Sequence, residues 1–106
     1  NLLMSYIICD MRSKSDQTVA HDVWIKIIEE MSDKFKEAGA TRQTVSQIWN
    51  RKGTFKLGFM WEYKDEKAFI ACQSLFREAE LEFQKRTGIT WKITPNRGVV
   101  LTDMHF

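Results

Sequence analysis

The feature that most constrains this chain is a strand pattern with apolar residues on both alternating faces. The segment from Leu3 to Arg12 predicts a β-strand. One parity carries Leu3, Ile7, Cys9 and Met11, and the other carries Met4, Tyr6 and Ile8. A strand that is apolar on both faces must be covered on both faces. A single layer of helices therefore cannot bury everything that this strand presents.

Two helices are predicted from apolar residues at spacings of three and four. The first is capped by Ser15 or Asp16, runs to about Ala38 and ends at Gly39. Its stripe consists of Ala20, Trp24, Ile27, Ile28, Met31, Phe35 and Ala38. The second is capped by Asp65 and closed by Gly88. Its stripe consists of Ala68, Phe69, Cys72, Leu75, Phe76, Ala79 and Phe83.

Further strands are predicted between and after the helices. Segments 41–49 and 54–63 form a hairpin around the turn at 50–53. Phe55, Leu57, Phe59, Trp61 and Tyr63 make one face of its second strand. After Gly88 we expect a short strand at 90–94, a turn at 95–98 and a last strand at 99–105. Pro95 places this end of the chain at a sheet edge.

The predicted order is βαββαβ in one domain, residues 1–106, which is the ferredoxin-like α+β arrangement. Right-handed crossovers would put both helices on one face of the sheet. We expect a second copy of the chain to cover the other face, giving a homodimer. The alternative is a monomer whose second face is wetter and tolerates Lys56 and Glu62.

This order, length and two-sided strand pattern resemble the dimeric α/β barrel superfamily over nearly the whole chain. The stretch from Phe59 to Phe69, Phe-Met-Trp-Glu-Tyr-Lys-Asp-Glu-Lys-Ala-Phe, looks like the strand-to-helix junction of members related to antibiotic-biosynthesis monooxygenases. The resemblance implies a barrel made by two protomers. The superfamily includes cofactor-free monooxygenases, haem-degrading enzymes, polyketide cyclases, isomerases and members of unknown role. No catalytic set of any subgroup matches these residues, so the reaction stays open.

Composition and motifs exclude several function classes. A net charge of +2 without a clustered basic face argues against nucleic acid. No run is long enough to span a membrane, and no signal peptide pattern precedes the first strand. Cys9 and Cys72 are expected as buried free thiols, and no zinc motif, phosphate loop or hydrolase motif occurs. We therefore expect a cytoplasmic protein without a metal or cofactor.

The ring-rich stripes predict a pocket for a small hydrophobic ligand, fatty-acid-like or polyketide-like, between the helices and the sheet. The expected lining consists of Trp24, Ile28, Phe59, Trp61, Phe69, Cys72 and Phe76, with Tyr6 and His21 as polar contacts. The seven Phe and four Trp of this small domain favour such a pocket, because large flat side chains pack poorly without gaps. Whether the pocket lies within a protomer or between two stays open.

An enzyme is the alternative, namely a cofactor-independent monooxygenase or cyclase. His21 at the edge of its helix stripe, or Tyr6 on a central strand, would then transfer the proton. Each residue also has a structural interpretation, as an exposed first-turn histidine and as a core tyrosine. A structural or regulatory dimer with a filled interior is the third hypothesis.

Overall fold

The computed structural model describes residues 2–106. They contain a four-stranded antiparallel sheet with three helices on one face. The elements are β1 (Leu3–Met11), α1 (Lys14–Glu30), α2 (Ser32–Ala38), β2 (Ala40–Ile48), β3 (Phe55–Tyr63), α3 (Glu66–Thr87) and β4 (Lys92–Val99). The sheet order is β2-β3-β1-β4, so the fold is the predicted ferredoxin-like one.

The two central strands, β1 and β3, divide their side chains between a helix-covered face and an open face. Cys9 of β1 and Trp61 of β3 are buried beneath the helices. Tyr6 and Met60 are register partners on the other face, and both are exposed. The two-sided apolar pattern is therefore confirmed, and within one protomer only one side of it is covered.

The first helical segment is broken, whereas the sequence predicted one continuous helix to Ala38. α1 ends at Glu30 and α2 begins at Ser32, and the ψ of 7° at Met31 between them departs from the helical value. Ser32 and Asp33 are residues that favour a helix start, so the break has a local cause.

The predicted cap at Ser15 or Asp16 is also wrong, because the Ser13 hydroxyl accepts the Asp16 N–H at 3.1 Å.

The end of the chain differs most from the expectation. The predicted turn at 95–98 is the middle of β4, and Pro95 pairs in register with Ile7. β4 is an edge strand, where a missing N–H can face away from the sheet. The predicted strand at 99–105 is absent, because Val99 already pairs with Leu3 and β1 extends no further.

Gly39 joins α2 to β2 at the point where α3 begins. Its φ of +105° is left-handed, and a Cβ there would lie 2.5 Å from the Ala68 Cβ. Glycine is thus required both by the backbone and by the close approach of α3. Asp65 caps α3 by accepting the Ala68 N–H, as predicted, and Gly88 ends it.

Candidate functional site

A cleft of about 380 Å³ lies between α3 and the half of the sheet formed by β1 and β4. It exists because α3 packs on α1, α2, β2 and β3, while the edge strand β4 has little helix above it. The exposed fraction of Ile93 is 39% although its side chain is on the helix side of β4. Apolar sheet surface is therefore left open beside a helix.

The cleft floor comes from two paired strands. Ser5, Ile7 and Cys9 of β1 line it, opposite Arg97, Pro95 and Ile93 of β4.

Four residues of α3 form the cleft wall at spacings of four, three and four: Phe69, Gln73, Phe76 and Glu80. This wall covers a helix length of roughly 16 Å, taking 1.5 Å per residue. The cleft therefore extends along about three turns of α3, with Arg97 near one end and Glu80 at the other.

The inner end of the cleft is closed by packed rings. Trp24 meets Phe59 edge to face at 5.8 Å and Trp91 at 6.0 Å between ring centroids. The Trp24 indole N–H donates to the Gln43 side-chain oxygen at 2.9 Å, which fixes the ring orientation. Trp91 stacks on Phe83 at 4.1 Å. A rigid aromatic surface of this kind suits a planar or acyl ligand.

Five of the residues predicted to line a pocket do meet in this cleft. They are Trp24, Phe59, Trp61, Phe69 and Phe76. Cys72 lies behind them and is completely buried, so it offers no surface to a ligand. Ile28 borders a separate shallow groove between α2 and β2.

Tyr6 and His21 lie outside the cleft. Tyr6 is on the open sheet face, between Met60 and Asn96 in register. His21 is exposed on α1, with its Nδ1 3.0 Å from the Asp22 carboxylate. The shallow depression beside His21 is formed with residues of β2 and not with α3. Neither side chain can exchange a proton with a molecule held between α3 and β4.

Several polar cleft residues were missed by sequence reasoning. Ser5 is buried, and its hydroxyl is 3.1 Å from the Tyr63 hydroxyl. Burial raises the pKa of Tyr63 to about 12. The Arg97 guanidinium carbon lies 5.1 Å from the centroid of the Phe69 ring. Arg97 carried no signal because its segment was assigned to a turn.

Glu80 is the acidic residue of the cleft, and burial raises its pKa despite the neighbouring Arg77. Its position four residues after Phe76 on the helix was the available signal. Burial, with Glu80 nearby, raises the pKa of Cys9 to about 12, so this thiol stays protonated and is a poor nucleophile. Within residues 2–106, no cluster of His, Cys, Asp and Glu could hold a metal ion.

A second unpartnered surface is the open face of the sheet. Its apolar centre consists of Met4, Tyr6, Ile8, Ile48 and Met60, assigned by strand register. Arg42 and Glu62 pair at 3.6 Å on its margin. None of the helices in residues 2–106 combines the length and the apolar character that a membrane span requires.

Comparison with protein families identifies the family of this chain. The model of DUF6974, a domain of unknown function, matches residues 1–100. The chain belongs to this family. No curated protein matches the sequence.

This DUF6974 chain shares its architecture with several solved structures. A dimeric ferredoxin-like protein from an uncultured marine organism superposes with a TM-score of 0.86 at 21% identity, over 97% of this chain and 98% of that one. A second dimeric ferredoxin-like protein from an uncultured marine organism gives a TM-score of 0.87 at 20% identity, over 100% of both chains.

A more distant structural similarity extends to the antibiotic-biosynthesis monooxygenase group, which the strand-to-helix junction resembles. A Nitrosomonas europaea protein described as a candidate antibiotic biosynthesis monooxygenase has a TM-score of 0.66 at 12% identity, over 93% of this chain and 90% of that one. At these identities the similarity establishes the fold of this DUF6974 protein. The expected resemblance to the dimeric α/β barrels is thus confirmed for the protomer fold.

Proposed function

We propose that this protein is a homodimer that binds a small hydrophobic molecule, with a ring system or acyl chain, in the cleft between α3 and β1–β4. The observation that carries the proposal is the combination of cleft volume and lining. About 380 Å³ lies within the range of small-molecule sites, and most of the lining residues are apolar or aromatic. Five of those rings were expected there from the stripe pattern alone.

The cleft favours a ligand over a collapsed core because its walls are held apart. The Trp24 indole is hydrogen-bonded to Gln43, and Trp61 packs edge to face on Phe76 at 4.9 Å between centroids. Rings fixed by such contacts cannot turn to fill the space without losing them. An apolar molecule that enters the cleft would replace poorly placed water and gain contact with these rings.

Binding is tested with phenylnaphthylamine, an uncharged dye that fluoresces in apolar surroundings. Gln73→Trp puts an indole into the cleft from a half-buried position on α3, and Ser74→Trp puts the same ring on the neighbouring exposed position. We expect saturable binding to the unaltered protein and to Ser74→Trp, and a loss of at least about tenfold in Gln73→Trp. Equal dye affinity in the two variants, or no binding at all, would contradict the proposal and favour a structural dimer.

The dimer is proposed through the open sheet face. Tyr6 and Met60 are exposed by 44% and 40% at its centre, where a monomer would leave large side chains in water. Two similar structures are described as dimeric. A twofold axis through the centre of this face would bring the same apolar patch of each protomer together.

Sedimentation equilibrium tests the dimer with two matched substitutions. Met60→Lys adds a charge to the centre of the open face, and Ile70→Lys adds it to an exposed apolar position on the outer side of α3. We expect a dimer for the unaltered chain and for Ile70→Lys, and a monomer for Met60→Lys. A monomeric unaltered chain would disprove this half of the proposal.

Cofactor-independent oxygenation or cyclisation is the second candidate, favoured by one observation. Glu80 is a carboxyl in the cleft wall with a raised pKa, and such a group can take a proton from an acidic C–H or O–H of a bound molecule. If turnover of a substrate is found, Glu80→Gln should abolish it and leave dye binding intact. Unchanged turnover would remove Glu80 from the reaction.

A further inference from the structure

We propose that the cleft selects molecules carrying an anionic group at one end of an apolar body, and that Arg97 binds this group. This inference rests on the ligand cleft of the proposed function and adds the chemical class of the ligand. Arg97 is on β4 at the end of the cleft where α3 begins, and its register partner is Ser5.

The exposed Arg97 side chain lies against an aromatic ring and has no ionic partner among the described residues. Its guanidinium lies over the Phe69 ring, with 5.1 Å between the carbon and the ring centroid, which is a cation–π distance. Among residues 2–106, no carboxylate oxygen is within 4.0 Å of its nitrogens, whereas Arg42 and Arg86 are both ion-paired. The guanidinium donors of Arg97 are therefore available to a ligand, in a geometry that matches a carboxylate or sulfonate.

Hydroxyl groups make the same end of the cleft polar. The Ser5 and Tyr63 hydroxyls are bonded to each other at 3.1 Å, which uses the hydrogen of only one of them. Ser5 also lines the cleft, although it is buried from bulk water. An anionic oxygen placed near Arg97 could accept from a serine hydroxyl as well as from the guanidinium.

The opposite end of the cleft repels an anion. Glu80 lies about 16 Å from Phe69 along the axis of α3, taking eleven residues at 1.5 Å each. Between the two ends the lining is apolar, with Ile7, Phe76 and Pro95. A molecule with one anionic end would therefore be oriented, with the anion at Arg97 and the apolar body toward Trp91. Aromatic acids and medium-chain fatty acids share this chemistry.

Two dyes that differ only in a sulfonate separate this inference from the cleft itself. Anilinonaphthalenesulfonate carries the anion, and phenylnaphthylamine is the same ring framework without it. Each dye is titrated into the unaltered protein, Arg97→Gln, Arg97→Lys and the control Arg51→Gln, which removes an equal charge from the exposed hairpin turn.

We expect Arg97→Gln to weaken the anionic dye by roughly tenfold and to leave the neutral dye unchanged. Arg97→Lys should weaken the anionic dye less, because it keeps the charge and loses the two-pronged donor geometry. Retained binding of the neutral dye also shows that the variants fold. Arg51→Gln should change neither affinity.

The outcomes distinguish the two proposals. If the neutral dye binds and is blocked by Gln73→Trp, but Arg97→Gln and Arg51→Gln bind the anionic dye equally, the anion site is wrong and the cleft stands. If neither dye binds the unaltered protein, the cleft proposal fails and the anion site fails with it.

Discussion

Two neighbouring stripes of α3 differ in how far they are buried. Ala68, Cys72, Ala79 and Phe83 are buried with at most 4% exposure, while Phe69, Gln73, Phe76 and Glu80 border the cleft. The buried stripe begins with small side chains that allow close approach, as at Gly39. The cleft stripe begins with large ones over a poorly covered sheet edge. One helix thus seals the core along one stripe and leaves an open cleft along the next.

The largest expected effect compares one phenylalanine from each stripe. Phe83→Ala should cost about 3–5 kcal/mol of unfolding free energy, since it leaves a cavity among packed rings. Phe76→Ala should cost about 1–2 kcal/mol, because its half-buried ring already borders open space. Urea unfolding of both variants measures the difference. Equal losses would mean that the cleft side is as closed as the core side.

Alkaline pH should lower stability because Cys9, Tyr63 and Cys72 are buried groups whose pKa values are raised in the folded state. Burial raises the pKa of Cys9 to about 12 from 9.0, and that of Tyr63 to about 12 from 10.0. The folded state then holds protons that the unfolded state has lost, so stability is complete below pH 9 and is lost toward pH 12. The expected slope is about 1.4 kcal/mol per pH unit for each group.

Cys9→Ala separates Cys9 from Tyr63, since Cys9 borders the cleft and Tyr63 does not. Its unfolding free energy, measured in urea from pH 8 to pH 11, should fall less steeply between pH 9 and pH 10 than that of the unaltered protein. Of the two buried thiols only Cys72, whose pKa burial also raises, remains in this variant. A variant that falls from pH 9 in parallel with the unaltered protein would show that water in the cleft already lets this thiol ionise.

The smallest expected effect concerns the C-terminal end of α3. Arg86 pairs with Glu30 of α1 and with Glu82, and its hydrogen bond lowers the pKa of Glu30. A carboxyl pKa that is lower in the folded state than in the unfolded state stabilises the fold at pH values above the unfolded-state pKa. This stabilisation is lost as the pH falls through the folded-state pKa. Arg86→Gln should therefore lower the Tm slightly at pH 7 and hardly at pH 3. Equal shifts at both pH values would contradict an ionic contribution.

The sequence predicted the protomer fold well because its signals are local and periodic. These signals depend on residues within one element: the alternating large apolar residues of β3, the cap at Asp65, and the helix ends at Gly39 and Gly88. The errors occur where a tertiary partner decides. β4 continues through Pro95 because β1 lies beside it, and it stops at Val99 because β1 has ended.

The site was predicted less completely for a physical reason. Five ring positions were found, because apolar stripes identify what faces the sheet. The gap itself depends on where α3 rests relative to β4, which no local pattern encodes. Arg97 and Ser5 belong to the cleft only through the pairing of β4 with β1. Tyr6 was assigned to the cleft because parity alone does not say which strand face the helices cover.

The most direct test of the ligand cleft is a crystal structure of the protein with anilinonaphthalenesulfonate. We predict one dye per protomer between α3 and β4, with its rings against Phe76 and its sulfonate at Arg97. Dye bound on the open sheet face around Met60, with the space beneath α3 filled by protein side chains, would contradict the account.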